Sequence, residues 1–369
     1  MLRLQTPLPE GYSTSTPEDL ASRIEAAKAA LGERLMILGH HYQRDEVMRW
    51  ADARGDSFGL SRLAAASDAE YVVFCGVHFM AESADVLTGS HQKVILPDLN
   101  AGCSMADMAD LESVEEAWEA LGEVTDVEAV VPITYMNSAA ALKAFVGRHG
   151  GAVCTSSNAR KILTWALDQR GPATKILFFP DQHLGRNTAY QLGYDADDMS
   201  VWDPRAVLGG LDEVTVKESR FLLWKGHCSV HQRFRPAHVE AFRADHPDGV
   251  VVTHPECSHE VVTLSDEVGS TDYIIAALDR IERERPGTAV AVATEIHLVQ
   301  RLAAEHPGLT VVSLDPLICP CSTMFRIDAA HLAWVLEELV QGRVVNQITV
   351  DPGTANDARV ALQRMLDIS

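Results

Sequence analysis

An α/β fold of three related units is what this sequence predicts, on three observations. Short apolar runs alternate with longer helical stretches along the whole chain, the pattern of strands joined by helical crossovers. The runs are apolar throughout and do not alternate with polar residues, as expected of parallel strands covered on both faces. A set of landmarks also recurs three times in the same order, the mark of an internal repeat.

In chain order, a helical stretch at 20–31 leads into runs at 35–38 (LMIL), 71–75 (YVVFC) and 93–96 (KVIL). Further runs follow at 129–133 (AVVPI), 176–179 (ILFF) and 250–253 (VVVT). A helix is expected at 272–284, strands at 289–292 (AVAV) and 309–314 (LTVVSL), and a helix at 329–341. Low-complexity sequence is absent.

The repeat is clearest between GHHYQRDEVMRWADARGDSFGL from Gly39 and THPECSHEVVTLSDEVGSTDYI from Thr253. Without a gap, His40 meets His254, Glu46 and Val47 meet Glu260 and Val261, Asp52 meets Asp266, Gly55 meets Gly269 and Ser57 meets Thr271. A looser copy starts at Tyr135 and reaches CTSSNA around Ser156. Each copy continues into a strand ending in a histidine motif (His78, His183, His297) and then a Cys-Ser pair (Cys103, Cys228, Cys321). The histidine-to-cysteine spacings are 25, 45 and 24 residues, so the middle copy carries an insertion, between about Tyr190 and Phe221, that includes the acidic run 195–198. The units expected are 1–122, joined by C-terminal helices at 325–369, then 123–245 with the insertion near 190–221, and 246–324.

The chain has 369 residues, of which 47% are apolar and 22% charged, enough to fill ordinary cores. Acidic side chains outnumber basic ones 52 to 31, a formal net charge of −21. That field repels phosphate backbones and anionic membrane surfaces, so nucleic acid and membrane are not expected partners. With no apolar run of spanning length and no signal-peptide core, a cytoplasmic protein is expected. Seven cysteines, with no CxxC pair, argue against a disulfide framework, a zinc ribbon or a thioredoxin-type motif.

In parallel α/β units, ligands bind beyond the carboxyl ends of the strands, where all these landmarks fall. Packed about a pseudo-threefold axis, the units would bring three thiols (Cys103, Cys228, Cys321) and three hydroxyls (Ser57, Ser156, Thr271) to one pocket. They would be joined there by His40 and Tyr42, Tyr135 and Asn137, and His254 and Glu256. Converging thiolates in a reducing compartment suit zinc or an iron–sulfur cluster. Three cysteines leave one position of either centre open to water or substrate. Each hydroxyl loop precedes a helical pattern; it either caps that helix or, with the helix N-terminus, binds an anion. Cys75, Cys154 and Cys257 read as buried small hydrophobes; Cys319, in CPC, competes with Cys321 as third ligand. His78, His183 and His297 read as hydrogen-bonded structural residues, Asp52 and Asp266 as helix-surface or capping groups, and Glu295 as able to reach the pocket.

With these residues in hand, the chain closely resembles the quinolinate synthase family. The matching motifs are GHHYQ from Gly39, GDSFGLSR from Gly55, FCGVHFMAE from Phe74, LPDLNAGCSMADM from Leu96, YMNS from Tyr135 and CTSSNA from Cys154. They continue with PDQHLGRN from Pro180, GHCSVHQRF from Gly226, HPE from His254, GST from Gly269 and CxxM from Cys321. The resemblance implies three homologous αβα units about a pseudo-threefold axis and a [4Fe-4S] cluster held by Cys103, Cys228 and Cys321. It also implies condensation of iminoaspartate with dihydroxyacetone phosphate to quinolinate, phosphate and two waters, in de novo NAD synthesis. Substrate-binding positions carried over are His40, Ser57, Tyr135, Met136, Asn137, Ser156, His254, Pro255, Glu256 and Thr271. Tyr42, Tyr135, His254 and Glu256 are the expected proton-transfer groups, with Glu256 a base for dehydration. A contact with L-aspartate oxidase, which supplies the unstable imine, follows from the same likeness. The chain departs from the family pattern at His41, at Asp272 after the GST loop, and at Cys319. The competing classes are a cysteine-ligated zinc enzyme and a non-enzymatic iron–sulfur sensor; a sensor needs a nucleic-acid-binding element, for which the charge offers no basic patch.

Overall fold

The computed structural model describes residues 5–317 and 320–368. The chain forms two compact units, one of Met1–Cys103 with Cys319–Asp351, the other of Ser104–Ile318 with Pro352–Ser369. The first unit holds one sheet, with strands β1 (Leu35–His40), β2 (Ala53–Gly55), β3 (Tyr71–Cys75) and β4 (Lys93–Ile95). The second holds two. Its first sheet contains β5 (Val130–Tyr135), β6 (Ala152–Cys154), β7 (Lys175–Phe179), β8 (Met199–Trp202) and β9 (Phe221–Trp224). Its second contains β10 (Val250–Thr253), β11 (Glu267–Val268), β12 (Ala289–Ala293) and β13 (Thr310–Ser313).

The repeat read from the sequence is written into the topology. The strand orders are β2-β1-β3-β4, β6-β5-β7-β9 and β11-β10-β12-β13, one order three times over, with every pair parallel. The expected insertion is β8, a fifth strand added parallel to β9 at the sheet edge. The acidic run belongs to its entry turn: Asp195 and Asp198 form a reciprocal capping box around Ala196–Asp198. A short strand β14 (Gln347–Ile348) closes the first sheet antiparallel to β4.

Central strands are buried on both faces; all five residues of β3 and of β7 are buried, which is why they read as unbroken apolar runs. The flanking helices are amphipathic. Thr271–Glu284 buries Ile274, Ala277, Leu278 and Ile281, the i, i+3, i+4, i+7 stripe of a core-facing helix.

Asp52 and Asp266 differ from their sequence reading. Asp52 Oδ2 accepts from Ile37 N–H and Asp266 Oδ2 from Val251 N–H, both at 2.8 Å. Their backbone amides return bonds to the same two residues. Lys28 pairs with the other oxygen of Asp52 and Arg243 with that of Asp266, at 2.8 and 3.1 Å. Each aspartate therefore clamps the first strand of its copy to the chain entering the second, a duty that recurs down to the cationic partner.

The C-terminal segments divide between the units. The helix Ala329–Val340 packs on Pro17–Leu31 in the first, where Glu337 takes two bonds from Arg23, at 2.8 and 2.6 Å. The helix Pro352–Ile368 packs on Ala140–Arg148 in the second. There a Cβ on Gly147 would lie 2.1 Å from the carbonyl oxygen of Asp357. Gly147→Ala must push the two helices apart, a cost of about 1–3 kcal/mol against a helix-propensity gain of about 1 kcal/mol. The expected result is a lower urea midpoint; an unchanged or higher one would contradict this packing. Among the described residues no helix is long and apolar enough to cross a membrane.

Candidate active site

The polar loops leave the carboxyl ends of the first strand of each copy. In the first unit, Tyr42 N–H donates to His40 Nδ1 (3.2 Å); in the second, Glu256 N–H donates to His254 Nδ1 (3.3 Å). Because Nδ1 accepts in both, the ring proton is on Nε2, and both imidazoles present an N–H on their far side. Both are buried, 5% and 3% exposed. Burial pushes the pKa of His254 down to about 3, so it remains a neutral donor at physiological pH.

The capping reading of the hydroxyl loops is settled for two of them. Asp56 caps the helix Ser57–Ala66, accepting from Gly59 N–H at 2.7 Å. Ser270 caps Thr271–Glu284, accepting from Tyr273 N–H at 3.3 Å. Ser57 and Thr271 are thus the first helical residues, and their hydroxyls do not serve as caps. Ser156 precedes the helix Ala159–Asp168 in a loop pinned by Thr155 N–H to Asn158 Oδ1 (2.7 Å).

The second unit collects the densest chemistry around Glu256, which is 3% exposed. His231 Nδ1 lies 2.8 Å from its Oε2, and the other edge of that ring is 3.2 Å from Thr294 Oγ1. His254 stacks on His231 with centroids 4.5 Å apart, its Nδ1 4.0 Å from Glu256 Oε1. Tyr135 hydrogen-bonds the same carboxylate. Burial alone would raise the pKa of Glu256, but the two imidazoles and the bonds from His231 and Tyr135 outweigh it and hold the carboxyl below its usual range. Asp181, also fully buried, moves the other way, raised first by burial and then by the charge of Glu256. The loop bearing Tyr135, Met136 and Asn137 is braced from beneath, where the buried Lys143 donates to Ser138 O and Ser138 Oγ bonds Tyr135 O (2.8 Å).

The cysteines sort into two classes. Cys75, Cys154 and Cys257 are buried, and burial raises all three thiols, Cys75 to about 12. Cys103, Cys228 and Cys321 are half-buried, and each is followed, three residues on, by a single 3₁₀ turn: Ala106–Met108, His231–Arg233 and Met324–Arg326. Cys319 lies outside the described residues.

Neighbouring landmarks are tied to these turns within each unit. In the first, the buried Asp98, five residues before Cys103, takes a 2.8 Å bond from Arg326 Nε in the turn after Cys321. Gln43 Nε2 approaches Met324 Sδ (3.4 Å) and Arg44 donates to Phe325 O, joining the His40 loop to that same turn. In the second, Trp224 Nε1 donates to Met108 O (2.7 Å) and His227 N–H approaches Met108 Sδ (3.4 Å). The segment leaving Cys103 is thereby seated on the segment approaching Cys228.

The histidines beginning the third helices behave unevenly. His78 N–H bonds Ala101 O (2.8 Å) and Gln182 N–H bonds Gly226 O (3.1 Å), in each case two residues before a cysteine. His78 and His297 lie 3.5 and 2.9 Å from Glu82 and Glu295. His183, expected to be hydrogen-bonded, is buried with neither ring nitrogen bonded to a protein group. Glu295 caps Ile296–Glu305, and Asp272 is exposed. Sequence reasoning missed His231, although it stands in GHCSVH three residues after Cys228.

Residues 22–367 match the family model described as quinolinate synthetase A protein. A Geobacillus sp. protein named quinolinate synthase is 53% identical over 98% of this chain and 97% of its own. One from Herpetosiphon aurantiacus with the same name is 56% identical, over 98% and 95%; one from Corynebacterium glutamicum is 53% identical, over 99% and 91%.

Proposed function

Since the chain belongs to the quinolinate synthase family of enzymes, we propose that it condenses iminoaspartate with dihydroxyacetone phosphate, releasing quinolinate, phosphate and two waters. The observation that carries this reading is the threefold recurrence of a half-buried cysteine before a single 3₁₀ turn, two of these turns touching a polar loop of another copy. Met324 after Cys321 meets the His40 loop, and His231 after Cys228 meets Glu256.

The donor set fits a [4Fe-4S] cluster. The three fully buried thiols are held protonated, which is wrong for a ligand, whereas Cys103, Cys228 and Cys321 are accessible and alike in backbone setting. Those three would hold the cluster, whose open iron supplies Lewis-acid chemistry.

The chain's own groups account for binding and proton handling. His40 and His254 donate Nε2–H to substrate oxygens without adding charge. Ser57, Ser156, Thr271 and Asn137 orient carboxylates and phosphate, aided by the first-turn amides of the hydroxyl-bearing helices, while Met136 and Pro255 line the same loops. Glu256, kept ionised with the help of its bonds from His231 and Tyr135, accepts protons in the dehydration steps, held in place by the 2.8 Å bond to His231. Tyr135, already bonded to Glu256, and Tyr42 supply protons. The enzyme works in the cytoplasm in de novo NAD synthesis and receives its imine from L-aspartate oxidase.

Anaerobic purification tests this directly. The expected result is a brown protein with about four iron and four sulfide per chain that forms quinolinate from the two substrates. A protein that stays colourless and forms no quinolinate after zinc removal and anaerobic reconstitution with iron and sulfide would reject it.

A further inference from the structure

The three cysteine turns are alike in position but not in content. The residue three after the cysteine is Ala106 in the first copy, Met324 in the third and His231 in the second. Gln232 N–H bonds Cys228 O at 3.0 Å, winding 228–232 into a single turn that places side chains three apart on one face. Only the middle copy therefore pairs its thiol with a second strong ligand.

A third donor is already in place. One atom each of Cys228, His231 and Glu256 lie within 4.8 Å of one another. The His231 ring is fixed from behind by Thr294 Oγ1, the outer support that metal-binding imidazoles ordinarily have. Glu256 is anchored through its amide to His254. Tetrahedral zinc takes sulfur, nitrogen and oxygen at about 2.0–2.3 Å, the three donor types gathered here.

We propose that the chain without its cluster binds one zinc-class divalent cation at Cys228, His231 and Glu256, with water as fourth ligand. This site shares a single thiol with the iron–sulfur reading, so the two occupants exclude each other. Zinc held here blocks cluster assembly, and the available metal decides whether a newly made chain becomes active. The site does not depend on the reaction proposed above, and no catalytic assay is needed to test it.

The test uses full-length chain stripped of iron under argon and titrated with zinc chloride against a chromogenic zinc chelator. One equivalent is expected, with affinity at least tenfold lower in Cys228→Ser, His231→Gln and Glu256→Gln and unchanged in Cys103→Ser and Cys321→Ser. Cobalt(II) added to the unaltered chain should show charge-transfer absorption from one thiolate, a reading that needs no variant to fold. Zinc binding abolished by Cys103→Ser or Cys321→Ser but retained in His231→Gln would place the ion on the three thiols and overturn the proposal. A three-thiolate cobalt spectrum, or failure of the unaltered chain to bind zinc, would overturn it equally.

Discussion

Serine in place of Cys103, Cys228 or Cys321 is expected to abolish both the brown chromophore and quinolinate formation, while Cys75→Ala and Cys154→Ala retain both. The contrast follows from solvation. A thiolate buried among apolar strands loses its water, a cost that outweighs even the charge of Lys28 acting on Cys75, so Cys75 and Cys154 stay protonated and inert. The half-buried set is open to solvent, and on the proposed reading, with only three protein ligands to a cluster, none is redundant. The alanine variants lose one buried sulfur each, costing a few kcal/mol at most and leaving the iron site alone. Visible absorbance and iron content under argon, with circular dichroism to confirm folding, read the outcome. Iron retained in Cys321→Ser and lost in Cys319→Ser would transfer the third ligand to Cys319; iron lost in Cys154→Ala would undo the burial argument.

Glu256→Gln should lower kcat by about 10²–10⁴-fold, the range for removing a positioned acid–base group, with iron content and KM close to those of the parent. Glutamine keeps the shape and can still accept from Tyr135 and His231, but it cannot take a proton. Removing the charge also relieves Asp181, whose carboxyl is raised partly by Glu256, so the variant loses one buried charge without gaining an unpaired one. Full kcat with a full iron complement would remove Glu256 from the chemistry; a loss confined to KM would reassign it to substrate binding.

Much of this was legible because the repeat carries its own internal control. The apolar runs at 71–75 and 250–253 coincide with β3 and β10, and the doubled spacing between His183 and Cys228 marked the insertion that became β8. The three-residue β4 showed itself in the apolar run KVIL, but β2, β6, β11 and β14, as short or shorter and without such a run, went unread, having no periodicity to detect. His231 escaped for the opposite reason: a search for what three copies share discards what one copy has alone. The strand-clamping role of Asp52 and Asp266 was hidden because a carboxylate bonded to a backbone N–H fifteen residues earlier has no side-chain partner in the sequence. The last two helices were both expected on the first unit, whereas the final one packs on Ala140–Arg148 in the second. Apolar faces such as Ala358, Ala361, Leu362 and Met365 specify burial without specifying against what.

Those last helices bear on how the protein is made. Residues from Ala329 onward complete the first unit, through the helix on Pro17–Leu31 and β14, and the seventeen-residue helix Pro352–Ile368 completes the second by covering Ala140–Arg148. Synthesis runs from the other end, so while the chain is still tethered to the ribosome both units lack a wall, with apolar surface bare to solvent and to chaperones. Neither can close until its C-terminal helix has left the ribosome.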